Sequence, residues 1–140
     1  IARAKADPGK TTIAINPRSI SHLVAALFAK KAGIKLIEVP YKGGGPMMQD
    51  AIAGHVPLAI GTVFVVSPHI QSRSIRPLAV TSGVRAAQFP DVPTMAEQGF
   101  KGYEAVSWGG IVAPPGTPKA VVDRVAGEVK AMCAKLPVYG

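Results

Sequence analysis

The chain has 140 residues, of which 48% are hydrophobic and 17% are charged. This length and apolar content fit one compact globular domain and exclude a disordered or fibrous protein. The formal net charge of +8 favours anionic ligands, but the basic residues are spread singly without interleaved aromatics, so we predict no nucleic-acid partner.

Strand and helix patterns alternate from the start of the chain. Thr11 to Ile15 alternates β-forming residues and predicts a strand. A helix from about Ile20 to Lys31 follows, with Ser19 or Ser21 as its N-cap and Gly33 at its end. Three of its residues are expected to form the buried stripe: Leu23, Leu27 and Phe28.

A glycine triplet joins the next strand to the next helix. The strand is predicted over Leu36 to Val39, and Lys42 to Gly45 lead into a helix with Pro46 first, continuing from Met47 to Ala53. Glycine backbone N–H groups and a helix start together suit an anion. The same corner also suits a sharp turn that binds nothing. It does not match the nucleotide P-loop, since the lysine precedes the glycines.

The alternation continues with a strand at Pro57 to Thr62, a helix at Val63 to Gln71 and a strand at Pro77 to Thr81. This order predicts an α/β fold with a mostly parallel sheet flanked by helices. Ligands of such sheets bind beyond the carboxyl ends of the strands. The strand ends are therefore candidate site positions: Asn16, Lys42, Thr62 and Thr81.

The last third of the chain begins with a proline-stiffened turn. Thr94 is predicted to cap a short helix to Gln98, and Ala105 to Ala113 has the pattern of a strand. An amphipathic helix is predicted from Pro118 to about Lys135. Its apolar stripe is expected to be a packing face: Val121, Val122, Val125, Val129, Met132 and Leu136.

The sequence offers little catalytic or metal-binding chemistry. Cys133 is the single cysteine, and the three histidines lack metal-ligand spacing. There is no G-x-S-x-G elbow, no H-E-x-x-H and no suggestively spaced acid pair among eight acids. The apolar stretches are too short to span a bilayer. We therefore predict no metal, no cofactor and no catalytic residue, with an enzyme of phosphate or acyl chemistry as the weakest alternative.

Several ordered segments together resemble a known family. They are Ser19–Leu23, Val39–Pro46, Pro68–Ile70, Leu78–Ser82, Pro90–Gly99, and Ser107–Trp108 with Ala113–Pro118. In this order they resemble the Bug family of periplasmic solute receptors, the extracytoplasmic binding proteins of tripartite tricarboxylate transporters. The resemblance covers about residues 5 to 130.

The resemblance implies a periplasmic-binding-protein-like fold with two α/β domains around a cleft that closes on small carboxylates. By this resemblance, residues 1–104 correspond to the second, ligand-binding domain. Residues 105–140 correspond to a strand and helix that return to the first domain. The chain is then expected to be the middle of a periplasmic receptor, without the signal peptide.

The family pattern implies a set of ligand-binding residues at the starts of three helices: Arg18, Ser19, Ser21, Tyr41, Lys42, Gly43, Gly44 and Thr62. Arg18 stands where the family usually has glycine, so it either blocks close backbone approach or supplies a bidentate carboxylate partner. His22 either buttresses its loop through a hydrogen bond or touches the ligand. Trp108 matches a family position where packing is expected.

The implied function is a non-catalytic solute-binding domain that recognises a small carboxylate and, in the intact receptor, delivers it to membrane transporter subunits. The alternative is a truncated, stand-alone domain that acts through self-association. An unpaired strand and an exposed apolar helix face are costly in water. We therefore expect the tail to pack on its own domain or on a second copy, as a homodimer through residues 105–140.

Overall fold

The computed structural model describes residues 1–107 and 110–135 of the chain. Trp108 and Leu136, both expected in packing positions, lie outside the described residues. The helices and strands of the described part are α1 (Ala2–Ala6), β1 (Thr12–Ile15), α2 (Ile20–Ala32), β2 (Ile37–Pro40), α3 (Gly44–Ile52), α4 (Val63–Gln71) and α5 (Lys119–Lys135). The α/β prediction is confirmed, and α1 is a further helix that the sequence pattern does not predict.

Strand β1 lies at the centre of a small parallel sheet. It pairs with β2 in a register that runs from Thr12 opposite Ile37 to Ile15 opposite Pro40. On its other side, Ala14 forms a parallel bridge with Ala59. There the Ala14 N–H donates to the carbonyl of Leu58 at 2.8 Å, and Ile60 N–H donates to the carbonyl of Ala14 at 3.4 Å. Three parallel segments therefore end at one edge.

The alternating side chains of β1 anchor two hydrophobic clusters. Ile13 and Ile15 are buried together with Ala25 of α2. Ala14 is fully buried together with Met47 and Met48 of α3. Because successive strand residues point to opposite faces, α2 and α3 cover the two faces of the sheet.

Helix α2 has the predicted ends but a different buried face. Ser19 is its N-cap, and Gly33 ends it with a φ of 61°. Leu23 is 65% exposed, so its place in the predicted stripe is wrong. The buried residues of α2 are Val24, Ala25 and Ala32, whereas Leu27 and Phe28 are half-buried.

Two of the predicted helices differ from the structure in their extent. Helix α3 begins at Gly44, earlier than the expected start at Pro46, and proline fits there because the first turn needs no N–H donor. Helix α4 has the predicted bounds. The expected helix after Thr94 is only a turn, in which the Gln98 N–H donates to the Thr94 carbonyl at 3.2 Å. The turn ends at Gly99, whose φ is 96°.

The later predicted strands are also reduced. Pro57–Thr62 is represented by the Ala59 bridge, and Pro77–Thr81 by a parallel bridge between Val80 and Thr94. In the described part of the chain the Val80 pair is not bridged to β1, so the predicted strand at Pro77–Thr81 does not extend the sheet around β1. Within residues 105–107 and 110–113, no strand is formed, although the Ala105 N–H donates to the Thr81 carbonyl at 2.8 Å.

The C-terminal helix is a separate arm in the described part of the chain. Helix α5 has no contact with the other named helices and strands of that part. The expectation that the tail packs on its own domain is therefore wrong for this helix, and pairing with a second copy stays a prediction. The side chains of the stripe remain accessible: Val121, Val122, Val125 and Met132.

Tyr103 ties the following loop to α2. Its side chain is 1% exposed, and its hydroxyl donates to the carbonyl of Val24 at 2.9 Å. Phe100 packs edge-to-face against both Tyr103 and Phe28, with ring centroids 6.4 and 5.6 Å apart. These contacts fix the chain between the Thr94 turn and Ala105 against α2. Over residues 1–107 and 110–135, no helix is long and apolar enough to cross a membrane.

Candidate ligand-binding site

Three helices begin at the edge where the parallel segments end. Helix α2 follows β1, α3 follows β2, and α4 follows the segment that pairs through Ala59. The first turn of each helix has backbone N–H groups without intrahelical partners and the positive end of the helix dipole. This edge is therefore electrostatically suited to a negatively charged group.

Two serine hydroxyls lie at the start of α2: Ser19 is hydrogen-bonded to the backbone, and Ser21, among the described residues, is hydrogen-bonded only to Ser19. Ser19 Oγ donates to the carbonyl of Asn16 at 2.5 Å and accepts from the backbone N–H of His22 at 3.4 Å. Ser21 Oγ lies 2.6 Å from Ser19 Oγ. Because Ser19 donates its hydroxyl proton to the Asn16 carbonyl, its oxygen is left to accept as the N-cap of α2. Ser21 can turn its hydroxyl proton toward an incoming acceptor instead.

Arg18 has a backbone conformation that favours glycine. Its φ is 59°, in the left-handed region. Its side chain is exposed, and its backbone N–H donates to His22 Nδ1 at 3.3 Å. His22 therefore makes the hydrogen bond expected if it supports this loop. A glycine at this position would adopt the same turn without the steric cost of a Cβ.

The three glycines at positions 43 to 45 have different structural roles. Gly43 is the N-cap of α3 with a φ of 110°, which only glycine adopts readily. A Cβ on Gly44 would lie 2.7 Å from Val65 Cγ1, so Gly44 lets α3 and α4 approach closely. A Cβ on Gly45 would meet nothing within 4 Å. Lys42 is exposed, and no ion pair is formed by it within the described part of the chain.

Tyr41 has its hydroxyl committed to a neighbour. It donates to Asp50 Oδ2 at 2.7 Å, while His55 Nδ1 lies 3.4 Å from Asp50 Oδ1. The hydrogen bond to Asp50, with smaller contributions from desolvation and the carboxylate charge, raises the pKa of Tyr41. The same bond, followed by that from His55, lowers the pKa of Asp50. The Tyr41 phenol therefore braces α3 against β2.

A groove of about 1120 Å³ opens beside this edge. Its lining includes four hydroxyl side chains: Ser21, Thr62, Thr81 and Ser82. The other predicted site residues lie outside its lining: Arg18, Ser19, Tyr41, Lys42, Gly43 and Gly44. Of the predicted site residues, the structure therefore brings Ser21 and Thr62 to the groove wall. The others lie at or just before the first turns of α2 and α3.

Phe64 belongs to the groove but is not among the site residues predicted from the sequence. It lines the groove and is 90% exposed. In the sequence it stands inside an apolar run and resembles any buried helix residue, so only its tertiary placement distinguishes it. In residues 1–107 and 110–135 there is no group of three or more histidine, cysteine or acidic side chains that would hold a metal ion.

Comparison with known sequences identifies the family. The profile described as "Tripartite tricarboxylate transporter family receptor" matches residues 1–139. The chain is 41% identical over 134 residues to a UPF0065 protein of the tcbD-tcbE intergenic region of Pseudomonas sp. strain P51, covering 94% of this chain and 40% of that protein. It is 41% identical over 124 residues to protein BugT of Bordetella pertussis, covering 87% of this chain and 38% of BugT.

Solved structures agree with the sequence comparison. An R. palustris protein, Rpa4515, solved with adipate, has a TM-score of 0.85 and 36% identity over 91% of this chain and 43% of that chain. The periplasmic binding protein BugD has a TM-score of 0.80 and 35% identity over 93% of this chain and 44% of BugD. The chain thus spans less than half the length of these relatives. It belongs to the tripartite tricarboxylate transporter receptor family, the Bug family of solute-binding receptors.

Proposed function

We propose that this chain is a non-catalytic ligand-binding domain of a periplasmic solute receptor and that it recognises a small carboxylate. The observation that carries the proposal is the start of α2, α3 and α4 at one edge of the parallel sheet. Such an edge attracts an anion through backbone N–H groups and helix dipoles. The similar R. palustris protein was solved with adipate, a dicarboxylate, which supports this ligand class.

The proposed contacts divide between charge and hydrogen bonding. Arg18 and Lys42 are exposed cations on the loops after β1 and β2, and they supply the electrostatic attraction. Ser21, Thr62 and the backbone of the Gly43–Gly44 corner supply hydrogen-bond donors. Ser19 and Tyr41 contribute through the loop geometry that their own hydrogen bonds maintain.

The proposal extends to the longer receptor. We infer that residues 1–104 form one wall of the ligand cleft and that residues 105–140 return to the first domain, which supplies the other wall. The intact receptor would deliver its ligand to the membrane subunits of the transporter. One wall alone makes fewer charge-assisted hydrogen bonds and excludes less water, so this chain should bind in the millimolar range.

An NMR titration of the 140-residue chain with adipate tests the proposal, with 1,6-hexanediol as the matched compound that lacks carboxylates. Adipate should shift the amide resonances of Ser21 and Gly44, whereas hexanediol should not. Ser21→Ala and Lys42→Gln should each weaken the response several-fold, and Lys101→Gln, an exposed lysine far along the chain, is the control. No response to adipate, succinate or malate at millimolar concentration would contradict the proposal.

We further propose that the free chain forms a homodimer through its tail. Helix α5 carries an exposed valine and methionine stripe, and Val112 before it is 91% exposed. Burying such a face against a second copy removes apolar surface from water. Light scattering should then give a dimer mass, and Val121→Glu with Val125→Glu should give a monomer. A monomeric parent chain would contradict the dimer without affecting the ligand proposal.

A further inference from the structure

His22 connects two segments of the candidate site that are far apart in sequence. Its Nε2 lies 3.0 Å from Glu38 Oε2 on β2. Its Nδ1 accepts the backbone N–H of Arg18 at 3.3 Å, immediately before the N-cap of α2. The imidazole therefore spans from the strand to the turn that starts the helix.

The two partners define one protonation state of the ring. The Arg18 backbone N–H can only donate, so Nδ1 must be without a proton. The Glu38 carboxylate can only accept, so Nε2 must carry the proton. Both bonds are satisfied together by the neutral Nε2–H tautomer, and Glu38 orients it.

The Arg18 turn needs such support. A φ of 59° is disfavoured for a residue with a Cβ. The short side chains of Asn and Asp can offset this steric cost with a local hydrogen bond, but the long side chain of arginine does not. The bond to His22 Nδ1 stabilises the left-handed turn directly. The same turn sets where α2 begins and hence where Ser19 and Ser21 lie.

We propose that His22 is a positioning residue: Glu38 orients its imidazole, and its Nδ1 holds Arg18 in the left-handed turn that presents the start of α2. The link from this turn to ligand affinity rests on the proposed function. The effect on the turn itself does not, and it can be measured without a ligand.

The tautomer is the first test. Long-range 1H–15N correlation spectra of the whole chain, recorded near pH 8 where free imidazoles are neutral, identify which ring nitrogen carries the proton. His22 should be in the Nε2–H form, and Glu38→Ala should shift it toward a mixture of tautomers. An Nδ1–H tautomer in the parent chain would overturn the proposal.

Two substitutions separate the two ends of the imidazole. In His22→Asn the side-chain oxygen lies near the former Nδ1 and can still accept from Arg18, whereas in His22→Gln the longer amide reaches toward Glu38 instead. Backbone chemical shifts of residue 18 should remain those of a left-handed residue in His22→Asn and should change in His22→Gln. His69→Gln, on α4, is the matched control and should leave residue 18 unchanged. A left-handed Arg18 that persists in His22→Gln would overturn the proposal.

Glycine at position 18 provides the rescue. Because glycine enters the left-handed region freely, Arg18→Gly should keep the turn even when combined with His22→Gln. In adipate titrations, His22→Gln should weaken binding about 3- to 10-fold in the parent chain, the range expected for one lost hydrogen bond. In the Arg18→Gly chain the same change should weaken it less than about twofold, because the competent turn stays populated.

The outcomes of the two proposals are distinguishable. If adipate binds no variant and not the parent chain, the proposed function is wrong, while the tautomer and the residue 18 shifts still decide the role of His22. If adipate binds and His22→Gln weakens it equally with arginine or glycine at position 18, the positioning role is wrong and the ligand site stands.

Discussion

Gly44 at the start of α3 faces Val65 of α4 so closely that a Cβ on Gly44 would lie 2.7 Å from Val65 Cγ1 and 3.1 Å from Cγ2. Valine is β-branched and has one strongly preferred rotamer in a helix, so it does not move aside easily. The approach of these two helices therefore depends on the absence of a side chain at position 44.

Gly44→Ala should lower the free energy of unfolding by about 1–2 kcal/mol, because the overpacking cost exceeds the gain in helix propensity. Gly45→Ala is the matched control: it adds the same methyl group one residue later, where nothing lies within 4 Å. It should be neutral or stabilising by up to about 1 kcal/mol. Urea unfolding measures both, and equal effects would contradict the close approach.

Arg18→Gly should raise the free energy of unfolding by up to about 1 kcal/mol. Glycine removes the cost of a Cβ at a φ of 59°, and its larger unfolded-state entropy offsets part of that gain. Arg73, also at a φ of 59°, follows α4 and lies outside the predicted ligand residues, so Arg73→Gly should show a similar gain. Thermal and urea unfolding test both, and a loss in both variants would refute the strain argument.

The Thr94 turn should make the protein sensitive to acid. Thr94 N–H donates to Glu97 Oε2 at 2.7 Å, and Glu97 N–H donates to Thr94 Oγ1 at 3.1 Å, the reciprocal pattern of a capping box. The hydrogen bonds from Arg85, followed by that from the Thr94 backbone, lower the pKa of Glu97. A lowered carboxyl pKa stabilises the fold above the unfolded value, about 4.3, and this stability is lost as pH falls through the folded value.

The urea midpoint should therefore fall as the pH drops below about 4, and Glu97→Gln should lose part of that pH dependence. Glu128→Gln on α5 is the control for a change of net charge. Thr94→Ala should cost about 1 kcal/mol at neutral pH, as the loss of other N-cap side chains does. Identical pH profiles for the parent chain and Glu97→Gln would argue against this role.

Tyr41→Phe should raise the pKa of Asp50. The Tyr41 hydroxyl is the largest cause that lowers the Asp50 pKa, and the remaining bond from His55 should leave part of the shift in place. A 13C NMR titration of the Asp50 carboxyl carbon measures this. Tyr103→Phe removes a hydroxyl that bonds to Val24 and should leave the Asp50 titration unchanged. A constant Asp50 pKa in Tyr41→Phe would show that the phenol does not bond to it.

Local signals predicted several elements well. Ser19 and Gly33 mark the ends of α2, and the bounds of α4 follow from its apolar pattern despite Pro68. The prediction that Leu23 is buried is wrong, because the helix pattern alone does not say where the neighbouring sheet lies. The turn at Thr94 has the sequence of a helix start, yet its hydrogen bonds end after a single turn at Gly99.

The candidate site divides in the same way. From the sequence alone the glycine corner fits both a sharp turn and an anion site, and the roles of Gly43, Gly44 and Gly45 are not distinguished. Their different roles depend on φ and on Val65, which belongs to another helix. The engagement of Tyr41 by Asp50 and the exposure of Phe64 likewise depend on the packed fold.

The sequence by itself determined the α/β alternation, the helix caps and the ordered motifs of the family, because these depend on residues within a few positions of one another. Tertiary structure decided that Ala14 lies at the centre of the sheet, that His22 reaches Glu38 and that Tyr103 bonds to Val24. Those contacts join residues 16 to 79 positions apart. They depend on strand register and on which helix face meets the sheet. Register and helix orientation are determined by the burial of apolar surface across the whole domain.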